Sequence, residues 1–151
     1  MKNRAWISIA ARTTLGGILL LFGLNEFHGL LGSPQVSEEG AVFIEALRQT
    51  GYLYYIVKFI EFSAGLLLIS GILVPLANLI VAPILVNIFL FHLFLDLQGM
   101  MIAIVMAACS AYLFWEYRAM FKILFKYNYN IDPNSTHQKD VVPPMKEALR
   151  S

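Results

Sequence analysis

The sequence predicts an all-α integral membrane protein, a four-helix transmembrane bundle of up-down topology with a short amphipathic helix in its first loop. Of its 151 residues, 58% are hydrophobic and only 14% are charged, whereas a soluble domain is about 25% charged and about 45–50% apolar. Four apolar stretches have the length of about 20 residues that a membrane-spanning helix needs. The predicted spans cover about residues 8–30, 52–74, 76–97 and 100–120 of a membrane domain at 1–122.

The first apolar run, from Ala10 to Leu31, is too long for the core of a signal peptide, and no small-residue cleavage site follows it. The polar connection after it contains a helical stripe at residues 42–47. Ser37 suits the N-cap of this stripe, and Gly51 suits its end. We therefore expect a short amphipathic helix on the membrane surface or over the mouth of the bundle.

The second span is predicted to end at Pro75, because proline cannot continue a hydrogen-bonded helix and constrains the residue before it. The turn to the third span is then very short, so that these two spans are antiparallel neighbours. Gln98 and Gly99 mark the next turn. In the fourth span, alanines recur every four residues and would allow close helix contact. They are Ala103, Ala107 and Ala111.

Basic residues flank the two ends of the predicted membrane domain, while the first loop is acidic. The positive-inside rule therefore places both termini in the cytoplasm. Residues 123–151 are predicted to be a disordered cytoplasmic polar tail.

The formal net charge of +1 gives no electrostatic support for a nucleic-acid partner. The single cysteine, Cys109, excludes an internal disulfide and an iron–sulfur cluster held by this chain alone.

Polar residues inside the spans form the candidate site. Lys58 and Glu61 are three residues apart and share one helix face, and such a pair inside a membrane is by default a functional-site hypothesis. Counted from the outer ends of the spans, Lys58 lies roughly 9 Å deep, His92 roughly 7 Å, Glu61 roughly 13 Å and Asn87 roughly 15 Å, with Asp96 at the mouth. These five residues are therefore predicted to form one polar layer.

The first span closes at the same outer end with further polar residues. They are Asn25, Glu26 and His28. A haem held by His28 and His92 has no other support in the sequence, and no metal site is predicted. No cofactor is evident from the residues themselves.

A second group lies at the inner end of the bundle. Arg12 and Glu116 both lie roughly 24 Å from the outer face by the same helical rise. They either form an ion pair between the first and fourth spans or reach the inner interface independently, since arginine snorkels well.

Several strings resemble the DoxX-like family of small bacterial four-helix membrane proteins. The resemblance covers roughly residues 12–122, and its most specific part is the string of Asn87, His92 and Asp96 on the third span. The other strings are Thr50-Gly51-Tyr52-Leu53 with Lys58 and Glu61, Val74-Pro75-Leu76-Ala77, and Leu113-Phe114-Trp115-Glu116-Tyr117-Arg118. The string Gly23-Leu24-Asn25-Glu26-Phe27 is similar too, but family members often have lysine where Glu26 stands.

This resemblance implies a multi-pass protein of the bacterial cytoplasmic (inner) membrane, and it leaves two functions open. Some relatives belong to membrane redox systems, a quinone-reducing thiosulfate oxidoreductase and an oxidative-stress complex. One expectation is therefore a membrane subunit of a redox or stress-response complex that binds a quinone-like ligand and a membrane or peripheral redox partner. The alternative is a non-catalytic scaffold or small permeation protein, whose polar layer is structural or proton-conducting. Neither of these two functions predicts that the chain itself is catalytic. Both predict contact with the lipid bilayer, and both are compatible with homo-oligomers.

Overall fold

The structure, a computed structural model, describes residues 2–28 and 36–122, with side chains for residues 5–25 and 36–122. The predicted tail at 123–151 lies outside the described residues. The chain divides into two units after Met120, and the helices below belong to the first. They are α1 (Lys2–His28), α2 (Glu38–Gln49), α3 (Leu53–Ser70), α4 (Val74–Phe94), a 3₁₀ turn (Leu97–Gly99) and α5 (Met100–Glu116).

Four of these helices form a ring in which α1 packs against α3 and α5, and α4 packs against the same two helices. Each of the four, α5 together with the 3₁₀ turn before it, is long and apolar enough to cross a membrane. Many large apolar side chains on their outer faces are exposed, which suits contact with lipid because a lipid-facing surface gains nothing by being polar. The predicted fold class, an all-α four-helix membrane bundle, is confirmed.

The interior of the bundle is filled by branched aliphatic side chains. Leu15 and Leu19 of α1, Leu68 of α3 and Leu113 of α5 are fully buried. Val81 of α4 completes this layer and is fully buried as well. The core therefore draws on all four spanning helices.

The tightest approach in the bundle is the crossing of α1 and α3, which depends on glycine. A Cβ at Gly65 would lie 2.9 Å from the carbonyl oxygen of Gly16, and a Cβ at Gly16 would lie 2.9 Å from that of Gly65. A Cβ at Gly23 would lie 3.1 Å from the backbone nitrogen of Phe62. Because residue numbers rise along α1 as they fall along α3, the two helices are antiparallel.

The break between α3 and α4 lies at a glycine rather than at the proline. α3 ends at Ser70, and Gly71 caps it in the left-handed conformation with φ 76°. Pro75 instead lies in the first turn of α4, where its missing N–H costs nothing and its fixed φ suits the helix. The sequence interpretation that Pro75 ends the second span was therefore wrong by four residues.

The amphipathic helix in the first loop is present as α2. The Ser37 hydroxyl accepts a hydrogen bond from the Gly40 N–H at 3.1 Å, as an N-cap should. The same hydroxyl donates to the carbonyl of Leu95, at the end of α4. Rings of Phe43 and Phe91 pack 5.7 Å apart between the two helices. α2 therefore lies over one end of the bundle, which we call the Asp96 end; the opposite end is the Gly71 end.

The buried face of α5 differs from the predicted alanine stripe. Ala103 is buried as expected, but Ala111 is exposed. The face that packs inward continues through Met106, Ser110 and Leu113 instead.

Candidate functional site

The predicted pair on α3 is an ion pair at the Asp96 end of the bundle. Nζ of Lys58 lies 2.8 Å from Oε2 of Glu61. The Glu61 side chain is 4% exposed and that of Lys58 is 18% exposed. Because the carboxylate is almost completely removed from solvent, the ammonium beside it offsets the cost of burying it.

Tyr54 extends this pair toward α2. Its ring is buried, with Nζ of Lys58 5.8 Å from the ring centroid. The guanidinium carbon of Arg48, from α2, lies 4.8 Å from the same centroid. Nη2 of Arg48 also donates to the Tyr54 hydroxyl at 3.3 Å. Two cations therefore contact one tyrosine, and the electron-rich face of the ring stabilises both of them.

A second carboxylate, Asp96, is buried where α4 ends. Its Oδ1 accepts from the backbone N–H of Ser37 at 3.3 Å, and its Oδ2 lies 3.3 Å from Nδ1 of His92. The same Nδ1 lies 2.9 Å from the carbonyl oxygen of Asp96. Because both of these oxygens can only accept, the geometry requires a proton on Nδ1, which leaves Nε2 as the acceptor in the neutral ring.

Asn87, the fifth member of the predicted layer, is not brought into either group. Asn87 is exposed on α4 and makes no hydrogen bond within the described part of the chain. Asn25 is half-buried near the end of α1, and it interacts with another residue. The side chains of Glu26 and His28 lie outside those that the structure describes. Of the predicted layer, the structure therefore joins Lys58 to Glu61 and His92 to Asp96.

The predicted inner pair is not joined either. Arg12 and Glu116 both lie at the Gly71 end, but neither of the ion pairs among the described residues contains them. The Arg12 guanidinium instead lies against Gly71, where a Cβ would overlap Nη1.

One polar contact was missed by the sequence analysis. Nδ2 of Asn78 donates to the carbonyl of Ser110 at 3.2 Å, and the Ser110 hydroxyl donates to Oδ1 of Asn78 at 2.9 Å. Both side chains are buried, so the contact links α4 to α5 inside the membrane. An asparagine and a serine in two neighbouring apolar spans were the available signal.

The chemistry open to this end of the bundle is limited. Among the described residues, no group of three or more His, Cys, Asp or Glu side chains could hold a metal ion. Both buried carboxylates are held by donors of the chain itself. The arrangement can hold α2 on the bundle, and Nε2 of His92 makes no hydrogen bond to the residues that the structure describes.

Comparison with known proteins gives one match. The sequence model of the DoxX family matches residues 7–93, which extend from the first turns of α1 to the last turn of α4 and include Lys58, Glu61 and His92. No curated protein and no solved structure matches the chain. Since the match covers more than half of the chain, this membrane protein with four candidate spans belongs to the DoxX family.

Proposed function

We propose that this protein is a non-enzymatic scaffold of the bacterial cytoplasmic membrane that holds partner proteins there. The observation that carries the proposal is that each buried carboxylate in the described part of the chain has its partners inside that chain. Glu61 is bound by Lys58, and Asp96 is bound by the Ser37 N–H and His92. A catalytic acid or base must reach the proton that it transfers on a substrate, whereas these two carboxylates serve the fold.

Within the non-catalytic class, a scaffold is better supported than a permeation protein. A path for ions or protons needs polar groups that face a bundle interior or a water-filled cavity. The middle of the described bundle is filled by apolar side chains such as Leu15, Leu68 and Leu113. The buried polar contact of Asn78 and Ser110 consists of two hydrogen bonds between these residues, as expected for a structural contact between two helices.

A second candidate function, a quinone-like ligand site in a redox or stress-response complex, is supported by a groove between α3 and α4. The groove has a volume of about 200 Å³, its lining surface is entirely apolar, and it includes Phe59, which follows Lys58. Sites that enclose a whole drug-sized ligand measure about 300–1,000 Å³. The groove therefore suits part of an isoprenoid tail better than a complete quinone. It is lined by Phe59, Ile60, Ser63, Ala64, Leu67, Ala77 and Ile80.

Both functions are tested on protein purified from bacterial membranes in mild detergent. A scaffold should co-purify with a partner protein in a fixed ratio, and its melting temperature should not respond to ubiquinone or menaquinone. A chain that is recovered without any partner contradicts the scaffold. A quinone-dependent rise in melting temperature supports the second function if Ser63→Phe abolishes it and Val86→Phe, on an exposed position of α4, does not.

The proposed orientation, with both termini in the cytoplasm, has its own test. In a Cys109→Ala chain, single cysteines are placed at Gln98, near the Asp96 end, or at Ser70, at the Gly71 end; both positions are exposed. A membrane-impermeant maleimide should label Gln98→Cys in cells with an intact inner membrane. It should label Ser70→Cys only after the membrane is permeabilised. The reverse pattern contradicts the orientation.

A further inference from the structure

Arg12 contains a buried nitrogen without a partner. It belongs to α1, inside the candidate span Ala5–Asn25, and its Nε is buried with no hydrogen bond in the described structure. A helical side chain leans toward the N-terminus of its helix, which for α1 is the Gly71 end. The guanidinium accordingly packs against Gly71, the residue that ends α3.

No carboxylate of the described chain neutralises this guanidinium. The ion pairs of the described residues, Lys58–Glu61 and His92–Asp96, lie at the opposite end of the bundle. Glu116, the acidic residue of α5 at the Gly71 end, is not in an ion pair with Arg12. A guanidinium does not lose its proton in proteins, and a partly buried cation without a counter-ion is costly. An anion from outside the chain would remove this cost.

The turn beside Arg12 adds positive potential. α4 begins after Leu73 with no side-chain cap and no acidic residue in its first turn. The N–H groups at the start of a helix are unbonded within it and favour a negative charge nearby; in α4 Pro75 contributes none. Arg12 packs against Gly71, α4 begins three residues after Gly71, and both favour the same kind of ligand.

The position of the α3–α4 turn indicates which kind of anionic ligand fits there. Gly71 follows directly on the candidate span Leu53–Ser70, which places it where the hydrocarbon core meets the headgroups. Ile72, Leu73 and Leu76 are large apolar residues that are exposed around the turn. A ligand with a phosphate next to acyl chains matches both the cation and these side chains.

We propose that Arg12 and the α3–α4 turn form a binding site for a phosphate group, either the phosphodiester of a phospholipid headgroup or free phosphate. The planar guanidinium presents paired N–H donors that match two phosphate oxygens. The site is independent of the proposed scaffold function, since it lies at the other end of the bundle from Lys58 and Asp96. A phosphate bound there would neutralise the charge of Arg12 at the Gly71 end.

The test measures the melting temperature of delipidated protein in a neutral detergent during titration with phosphatidylglycerol, phosphatidylcholine or inorganic phosphate. Wild-type protein should show a saturable rise with phosphatidylglycerol, and Arg12→Gln should weaken the apparent affinity about tenfold or more. Arg12→Lys should keep part of the affinity, because it retains the charge but not the paired donors. Arg118→Gln is the matched control, since Arg118 is exposed at the same end and lies over the Trp115 ring at 4.8 Å.

The titrations also separate the two sources. A rise in melting temperature with both lipids but not with inorganic phosphate identifies a phospholipid headgroup as the ligand. A rise with phosphatidylglycerol alone identifies an anionic phospholipid headgroup. A response to inorganic phosphate that Arg12→Gln removes identifies free phosphate. Equal responses of wild type and Arg12→Gln overturn the proposal. If Arg12→Gln does not fold, native mass spectrometry of the wild type decides: bound phospholipid or phosphate that Arg12→Lys holds less tightly supports the site, and its absence overturns it.

Discussion

Lys58 and Glu61 form an ion pair of 2.8 Å within one turn of α3, and its two members are buried to different extents. The carboxylate is 4% exposed, whereas the lysine side chain is 18% exposed and its ammonium also contacts the Tyr54 ring. Lysine thus keeps some water and an aromatic neighbour when the carboxylate is removed. Glu61 has no comparable alternative among the contacts described.

This asymmetry predicts unequal costs for removing the two partners. Lys58→Met should destabilise the bundle by about 4–5 kcal/mol and Glu61→Gln by about 3 kcal/mol, the span expected for breaking a buried ion pair. The double variant Lys58→Met with Glu61→Gln should recover much of the loss, because no buried charge is then left unpaired. Unfolding in mixtures of mild detergent and dodecyl sulfate, followed by tryptophan fluorescence, measures the three free energies.

The double variant also separates structure from function. If it is as stable as the wild type and a cell lacking the wild-type protein is complemented by it, the pair serves the fold alone. A stable double variant that does not complement would show that the charges themselves are needed. A double variant no more stable than Lys58→Met would contradict the assignment of a buried ion pair.

The helices and their order could be predicted from the sequence because each depends on neighbours in the chain. Apolar length predicts a span without knowledge of its packing partners, and the cap at Ser37 is formed with the Gly40 N–H three residues later. The contact of His92 with Asp96 joins two residues of one short segment, four positions apart. Such contacts depend only on residues that are close together in the sequence.

The contacts between helices could not be predicted in the same way. Counting residues along the third span predicted how deep Asn87 lies in the membrane. It did not predict the direction in which Asn87 faces around the helix axis. The buried face of α4 follows Ala77, Val81 and Leu85, and Asn87 is two residues beyond Leu85, about 200° around the helix at 3.6 residues per turn. Because α4 is apolar on nearly all sides, no sequence pattern distinguished its buried face from its lipid face.

Asp96 should hold α2 on the bundle. Asp96→Ala removes the acceptor of the Ser37 N–H and the partner of His92, and the loss of hydrogen bonds to a charged group costs about 1.5–3 kcal/mol each. We expect trypsin to cleave after Arg48 of α2 faster in this variant than in the wild type, with fragments identified by mass. Asn87→Ala, at an exposed position of α4, is the control. Equal cleavage rates for Asp96→Ala and wild type would mean that α2 is held elsewhere.

The contact between Asn78 and Ser110 should contribute to stability unequally through its two side chains. Asn78→Ala removes both hydrogen bonds, while Ser110→Ala leaves the bond from Asn78 to the carbonyl of residue 110. Asn78→Ala should therefore be the more destabilising change. A double-mutant cycle should give a coupling free energy of about 0.6 kcal/mol, the average for hydrogen bonds between membrane helices, and no more than about 1.7 kcal/mol. Additive effects of the two changes would show that the hydroxyl bond contributes nothing measurable.

The glycine crossing of α1 and α3 gives a prediction with an internal control. A Cβ at Gly65 would lie 2.9 Å from the carbonyl oxygen of Gly16 and 3.0 Å from the backbone nitrogen of Leu20, and backbone atoms cannot move aside as a flexible side chain can. Gly65→Ala should therefore destabilise the bundle by about 1–3 kcal/mol as the helices separate. A Cβ at Gly17 would meet nothing within 4 Å, so that Gly17→Ala should be neutral or stabilise by up to about 1 kcal/mol through helix propensity. Thermal unfolding in detergent measures both variants, and a Gly65→Ala chain as stable as Gly17→Ala would mean that the two helices do not pack backbone to backbone.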